Sequence, residues 1–104
     1  MLISNNAYAK GDIVAFKLVN GDEILGEFTE YSTAGWMLKK PCAIVPSPQG
    51  IGLVQYMFVG GMDKPMELQQ QHVMMHAESI PEIRAHYIKT TTGIDTPPQS
   101  KIIR

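Results

Sequence analysis

Val14-Ala15-Phe16-Lys17-Leu18-Val19-Asn20-Gly21-Asp22-Glu23-Ile24-Leu25-Gly26-Glu27-Phe28-Thr29-Glu30-Tyr31 is the stretch whose reading decides the fold. Val14, Phe16 and Leu18 recur every second residue before its centre, and Ile24, Gly26 and Phe28 do so after it. A period of two marks a half-buried strand, because successive side chains point to opposite faces. Asn20-Gly21 between the two runs is a strong hairpin signal, since both residues tolerate positive φ. Gly26 inside the second run implies a sharp bend or a close backbone approach. A sheet that curls into a small barrel needs such a bend.

Outward from this hairpin, residues 1–11 read as a flexible arm. Ser32-Thr33-Ala34-Gly35 reads as a turn and Trp36–Val45 as a third strand. Pro41 within it has no N–H for a ladder, so an edge position or a bulge is expected there. Pro46–Gly50 reads as a loop, Leu53–Val59 as a fourth strand, Gly60–Pro65 as a break and Glu67–Ala77 as extended chain. Ser79-Ile80-Pro81-Glu82 then has capping-box spacing, with Ser79 as the cap. Ile80, Ile83 and Tyr87 follow at helical intervals, and Gly93 ends the run. The expected architecture is mostly β: a small, strongly bent five-stranded barrel over 12–77, a short C-terminal helix over 78–93 and a flexible tail over 94–104.

The quoted stretch resembles the first signature of the Sm/LSm superfamily, which includes bacterial Hfq. Leu18, Asn20-Gly21, Ile24, Gly26, Phe28 and Tyr31 fall at the signature's positions. Tudor-type and other SH3-like barrels can carry a similar run. For the second signature two registers compete. One sets Met75-His76-Ala77-Glu78-Ser79-Ile80 at the penultimate strand and turn, which leaves Pro81 inside a barrel-closing strand, where its missing N–H is a defect. The other sets Leu68–Val73 at the turn and Val73–Ala77 as the last strand, with an insertion before it. The second is preferred. The resemblance implies an Sm-like (SH3-like) barrel whose edge strands pair between copies to close a homo-oligomeric ring. It further implies RNA bound by the two signature turns.

The signature turns depart from that pattern. Ser32 stands for the family's Asp, Gly35-Trp36 for its Met-Asn pair, Ala34 for its stacking residue and Gln69-Gln70 for its Arg-Gly. The residues that remain to contact nucleic acid are Trp36 as an aromatic platform, Gln69 and Gln70 as base-edge partners and His72 in the turn. Trp36 is equally a core side chain by size. Two functions stay open: a ring that binds RNA or single-stranded nucleic acid, and a barrel that has lost RNA binding and uses its edges to bind protein.

Composition narrows the classes. The chain has 104 residues, enough for one domain. Its net charge is −1 and its pI about 6.3, unlike a protein that coats phosphate with clustered Lys and Arg. Charged residues are 18%, below the globular norm, which leaves room for a subunit interface. Cys42 is the single cysteine and lies in an apolar run, so a buried inert thiol is expected. The methionines Met57, Met62, Met66, Met74 and Met75 read as core plus subunit contact. His72 and His76 with Glu78 could hold zinc, but the spacing matches no recognised pattern, and ordinary histidines are the better reading. No nucleophile–base arrangement has family-specific surroundings. The expectation is therefore no enzyme, no metal, no cofactor and no membrane, in a cytoplasmic protein.

Overall fold

The alternating runs form β1 (Ile13–Leu18) and β2 (Glu23–Tyr31), paired antiparallel with Phe16 opposite Ile24 and Val14 opposite Gly26. The computed structural model describes residues 8–57 and 60–92. The hairpin turn has three residues. Gly21 N–H donates to the Leu18 carbonyl at 2.9 Å and Leu18 N–H to the Asp22 carbonyl at 2.8 Å, so the loop is Val19-Asn20-Gly21. Only Gly21 of the Asn-Gly pair has positive φ, at +98°. Asn20 instead turns its side chain inward on the loop, and its Oδ1 accepts the Asp22 N–H at 2.9 Å. That is the three-residue hairpin with a glycine bulge.

After the turn, β3 (Gly35–Ser47) pairs with β2, and β4 (Gly50–Gln55) folds back on β3 with Ser47 opposite Gly50. Pro46 and Ser47 thus extend the strand where a loop was expected. β5 (Met66–Gln69) returns to the first half of β3, pairing Leu38 with Met66 and Gly35 with Gln69. β4 and β5 together line one edge of β3, with a gap at residues 39–41. Lys40 there has φ of +53°, and Lys39 to Cys42 on β3 span the Glu27 to Leu25 step on β2. This bulge is the irregularity that Pro41 predicts. The chain leaves the edge through Tyr56 N–H to the Pro41 carbonyl and touches it again through Lys40 N–H to the Met62 carbonyl.

A single 3-10 turn (Gln70–His72) leads to β6 (Val73–Glu78), which pairs with β1. The strand order is β4-β3-β2-β1-β6, with β5 also on β3, so the sheet has six strands and not five. No ladder joins its two ends among the described residues. The extended reading of Glu67–Ala77 is interrupted by the 3-10 turn, and β6 begins at Val73 as the preferred register requires.

The sheet is strongly curled. Adjacent strands lie about 4.8 Å apart, so in a flat sheet β6 and β3 would be roughly 14 Å apart. Yet the His76 ring on β6 and the Trp36 ring on β3 have centroids 4.8 Å apart, and Phe16 and Trp36 are at 5.0 Å. Gly26 permits this curl, since a Cβ there would come within 3.0 Å of the Leu38 side chain. The concave face holds Val14, Phe16, Leu18, Ile24, Phe28, Trp36 and Leu38. Burying a ring such as Phe16 contributes about 1.5–3 kcal/mol.

The opposite face carries the alternate residues Ile13, Leu25 and Cys42, which α1 (Pro81–Thr92) covers with Tyr87, Ile83 and Ile88. The Tyr87 hydroxyl donates to the Lys40 carbonyl at 2.7 Å. Ser79 does not cap this helix. The first intrahelical acceptor is the Ile80 carbonyl, bonded by Arg84 N–H at 2.9 Å, and Ser79 Oγ is buried without a partner. Ile80 is the cap position and Pro81 the first helical residue, where its missing N–H costs nothing.

Within the segment read as an arm, residues from Tyr8 onward contact the sheet. Gly11 N–H donates to the Phe28 carbonyl at 2.8 Å, and Tyr8 packs on the concave core. Residues 1–7 and the tail over 94–104 lie outside the described residues.

Candidate functional site

The turn at Ser32–Gly35 and the 3-10 turn at Gln70–His72 meet. Ser32 builds the first: its Oγ accepts the N–H groups of Gly35 at 2.8 Å and Ala34 at 3.2 Å. Such side-chain to backbone bonds are how Ser holds a tight turn. The second is the 3-10 turn after β5, and its Gln70 N–H donates to the Ala34 carbonyl at 2.7 Å. Gly35 is what lets them approach. A Cβ there would collide with the Leu68 carbonyl oxygen and come within 2.9 Å of the Gln70 nitrogen. The His72 carbonyl accepts the Val19 N–H at 2.9 Å, tying the same turn to the β1–β2 hairpin.

Between the turns lies an open hollow of about 310 Å³, lined by Ala34, Gln69, Gln70 and Gln71. The three glutamines are exposed, and Gln71 Nε2 donates to Gln69 Oε1 at 3.3 Å. Residues 32–35 and 69–72 contain no Lys, Arg, Asp or Glu. The hollow therefore offers amide donors and acceptors and no fixed charge. Such a surface can hydrogen-bond base edges or peptide groups, and it is a poor site for phosphate.

Gln69, Gln70 and His72 of the expected site are thus together in one turn, exposed. Trp36 is not with them on the surface. It is 7% exposed, wedged between Phe16 and His76, because the curl of the sheet needs a large ring at its centre. The aromatic surface beside the turns is instead Tyr31, which is 39% exposed and packs edge-on against Phe28 at 4.7 Å. Tyr8 lies beside it, its N–H donating to the Tyr31 hydroxyl oxygen at 3.1 Å and its own hydroxyl hydrogen-bonded to His76 Nδ1 at 2.6 Å. Burial raises the Tyr8 hydroxyl above the ordinary phenol value, with Tyr31 and Glu78 adding to the effect, so it stays neutral.

Gly35 and Tyr8 were not singled out as site residues from the sequence. Gly35 had a signal in the turn it closes; Tyr8 had none, being 68 residues from His76. His72 and His76 do not share a strand, since His72 belongs to the 3-10 turn. Among the described residues no group of three His, Cys, Asp or Glu side chains could hold a metal ion. Cys42 is buried, and burial pushes its thiol up to about 11. Among the described residues no helix is long and apolar enough to cross a membrane.

Among the described residues, β4 pairs only with β3, and β6 only with β1. β4 carries no charged residue or proline, the usual protection of an edge. β6 exposes Met74 and Met75 at 63% and 65%, and β4 exposes Ile51 and Val54. No family model matches this chain, and no curated protein matches it.

Proposed function

We propose that this chain is a divergent Sm-like protein that assembles into a homo-oligomeric ring and binds single-stranded nucleic acid, RNA in the first instance, weakly. The curled sheet acts as a small barrel. β4 of one copy pairs with β6 of the next, covering Ile51 and Val54 with Met74 and Met75. The observation that carries the reading is the convergence of the two signature turns through Gln70 N–H and the Ala34 carbonyl. Binding is by amide contacts of Gln69, Gln70 and Gln71 to base edges, with repeated subunits supplying avidity.

The test is titration of labelled oligo-U and oligo-A at low and physiological salt, with mass measured by light scattering in the same samples. The expected result is a ring-sized multiple of the 11.5 kDa chain that binds an oligonucleotide. Affinity should fall only shallowly with salt, since the hollow has no Lys or Arg to displace counterions. Gln70→Ala with His72→Ala should weaken binding and leave the mass unchanged. A monomer, or a ring that ignores both oligonucleotides, ends this reading.

A second reading is a protein-interaction module on the same barrel. The uncharged β4 edge and the paired methionines of β6 favour it. It predicts assembly intact without nucleic-acid binding, and loss of partner binding when a β6 edge residue such as Met75 becomes proline.

A further inference from the structure

The structure describes a ring-shaped slot that already has an occupant. Its walls are Phe28 from β2 and His76 from β6, with the Tyr31 hydroxyl at its rim. Tyr8 fills it, with ring centroids 5.9 Å from Phe28 and 5.6 Å from His76, the latter edge-on. Two polar handles complete the fit: His76 Nδ1 meets the phenol at 2.6 Å, and the Tyr31 hydroxyl accepts a main-chain N–H at 3.1 Å. A flat ring with one hydrogen-bonding group at its edge is therefore what the slot takes.

The occupant is held differently from the core beneath it. Behind Tyr8, the strap is fastened to β2 by Gly11 N–H to the Phe28 carbonyl and by Phe28 N–H to the Asp12 carbonyl, both at 2.8 Å. Tyr8 itself hangs beyond a turn closed by Ala9 N–H to Asp12 Oδ2 at 2.9 Å and by Asp12 N–H to the Ala9 carbonyl. Among the described residues, the hydrogen bonds of Tyr8 go to Tyr31 and His76 and not to the strap. It can leave without unpairing Gly11 or Asp12. The slot also adjoins the amide hollow: Tyr31 stands opposite Trp36, one step along β3 from Gly35, whose partner is Gln69.

We propose that Tyr8 is a displaceable plug, and that a base of a single strand lying across the Gln69–Gln71 hollow takes its place against Phe28 and His76, beside Tyr31. This rests on the nucleic-acid reading above. A base supplies the flat ring and an edge hydrogen-bonding group in place of the phenol of Tyr8, and aromatic stacking is the common device of single-strand binders. The plug lowers apparent affinity by the fraction of molecules in which it is seated.

The experiment uses the full chain and oligo-A and oligo-U. Tyr8→Ala is expected to bind about tenfold tighter than wild type, and Tyr8→Phe, which keeps the ring and loses the bond to His76, about threefold tighter. Tyr31→Ala added to Tyr8→Ala should remove the gain. In wild type, the Tyr8 ring resonances should move to solvent-exposed values as the oligonucleotide saturates, a readout that does not depend on any variant folding. Oligonucleotide binding with Tyr8 unmoved and no gain in Tyr8→Phe overturns the plug and leaves the nucleic-acid reading standing. Absence of oligonucleotide binding in wild type and variants alike overturns both. Displacement of Tyr8 by a tyrosine-containing peptide but not by either oligonucleotide overturns the base as occupant.

Discussion

The β1–β2 hairpin and the broken path of β4 and β5 along β3 are two solutions to strand pairing in one sheet. The hairpin is local: its partners are at most 14 residues apart, and its turn is closed by the short-range bonds of Gly21 and Asn20, with Val19 N–H bonded in addition to the His72 carbonyl. The broken path is not. It skips residues 39–41 of β3, and the skipped residues are held by remote groups, the Tyr87 hydroxyl on the Lys40 carbonyl and the Met62 carbonyl on Lys40 N–H. Tyr56, at the point of departure, bonds Asp22 in the hairpin at 2.9 Å. Local pairing stands on alternation and a turn. Interrupted pairing needs the rest of the molecule to define where it resumes.

Native-state hydrogen exchange should therefore separate the regions. The β1–β2 amides should open only with global unfolding and those of β5 at lower free energy. The strongest way to break the difference is Phe16→Ala, since Phe16 reaches from β1 to Trp36 on β3. It should cost about 3–5 kcal/mol in urea denaturation and lower both regions together. Loss of protection in β5 alone would show that the curl is not held by this ring.

Gly35→Ala should cost about 2–4 kcal/mol, by driving a Cβ into the Leu68 carbonyl. Its effect should fall on β5 and the 3-10 turn and widen the gap from the hairpin. A near-neutral result would mean the turns separate cheaply.

Tyr87→Phe should cost about 1–3 kcal/mol because the carbonyl of Lys40 loses its donor. Alkaline pH probes the same region. Burial raises both the Cys42 thiol, from 9.0 to about 11, and the Tyr87 hydroxyl, with Cys42 and Glu27 adding to the latter. A raised acid favours the folded state below its ordinary value, and that stability is lost as pH rises through the folded value. The urea midpoint should fall from pH 9 upward, and less steeply in Cys42→Ala between pH 9 and 11. A flat midpoint over that range would contradict the burial of these groups.

The smallest effect is expected in the hairpin turn. Gly21→Ala must adopt φ near +98° and should cost about 1 kcal/mol, with no change in β5 protection. A larger loss, or one that spreads to β5, would make the turn more than local.

Of the candidate site, the sequence carried the polar turn Gln69–His72 and the second turn at Ser32–Gly35, because turn residues announce themselves by composition. It did not carry their meeting. Nothing within either segment specifies the bond from Gln70 N–H to the Ala34 carbonyl. Trp36 was legible as a large ring and not as a buried one, since burial depends on how far the sheet curls. Ser79 had the right spacing for a cap, yet its N–H is taken by the Ile13 carbonyl at 2.9 Å and the helix starts one residue later. A tertiary bond won over a local motif.

Alternation, the Asn-Gly turn, the bending Gly26, the irregularity at Pro41 and the presence of a C-terminal helix were determined by the sequence itself, because each is encoded within a window of a few residues. Only the tertiary structure decided the six-strand order, the break between β4 and β5, the burial of Trp36 and the seating of Tyr8 against His76. Those features are contacts between segments tens of residues apart, and their free energy exists only once the sheet has curled and brought both partners to one place.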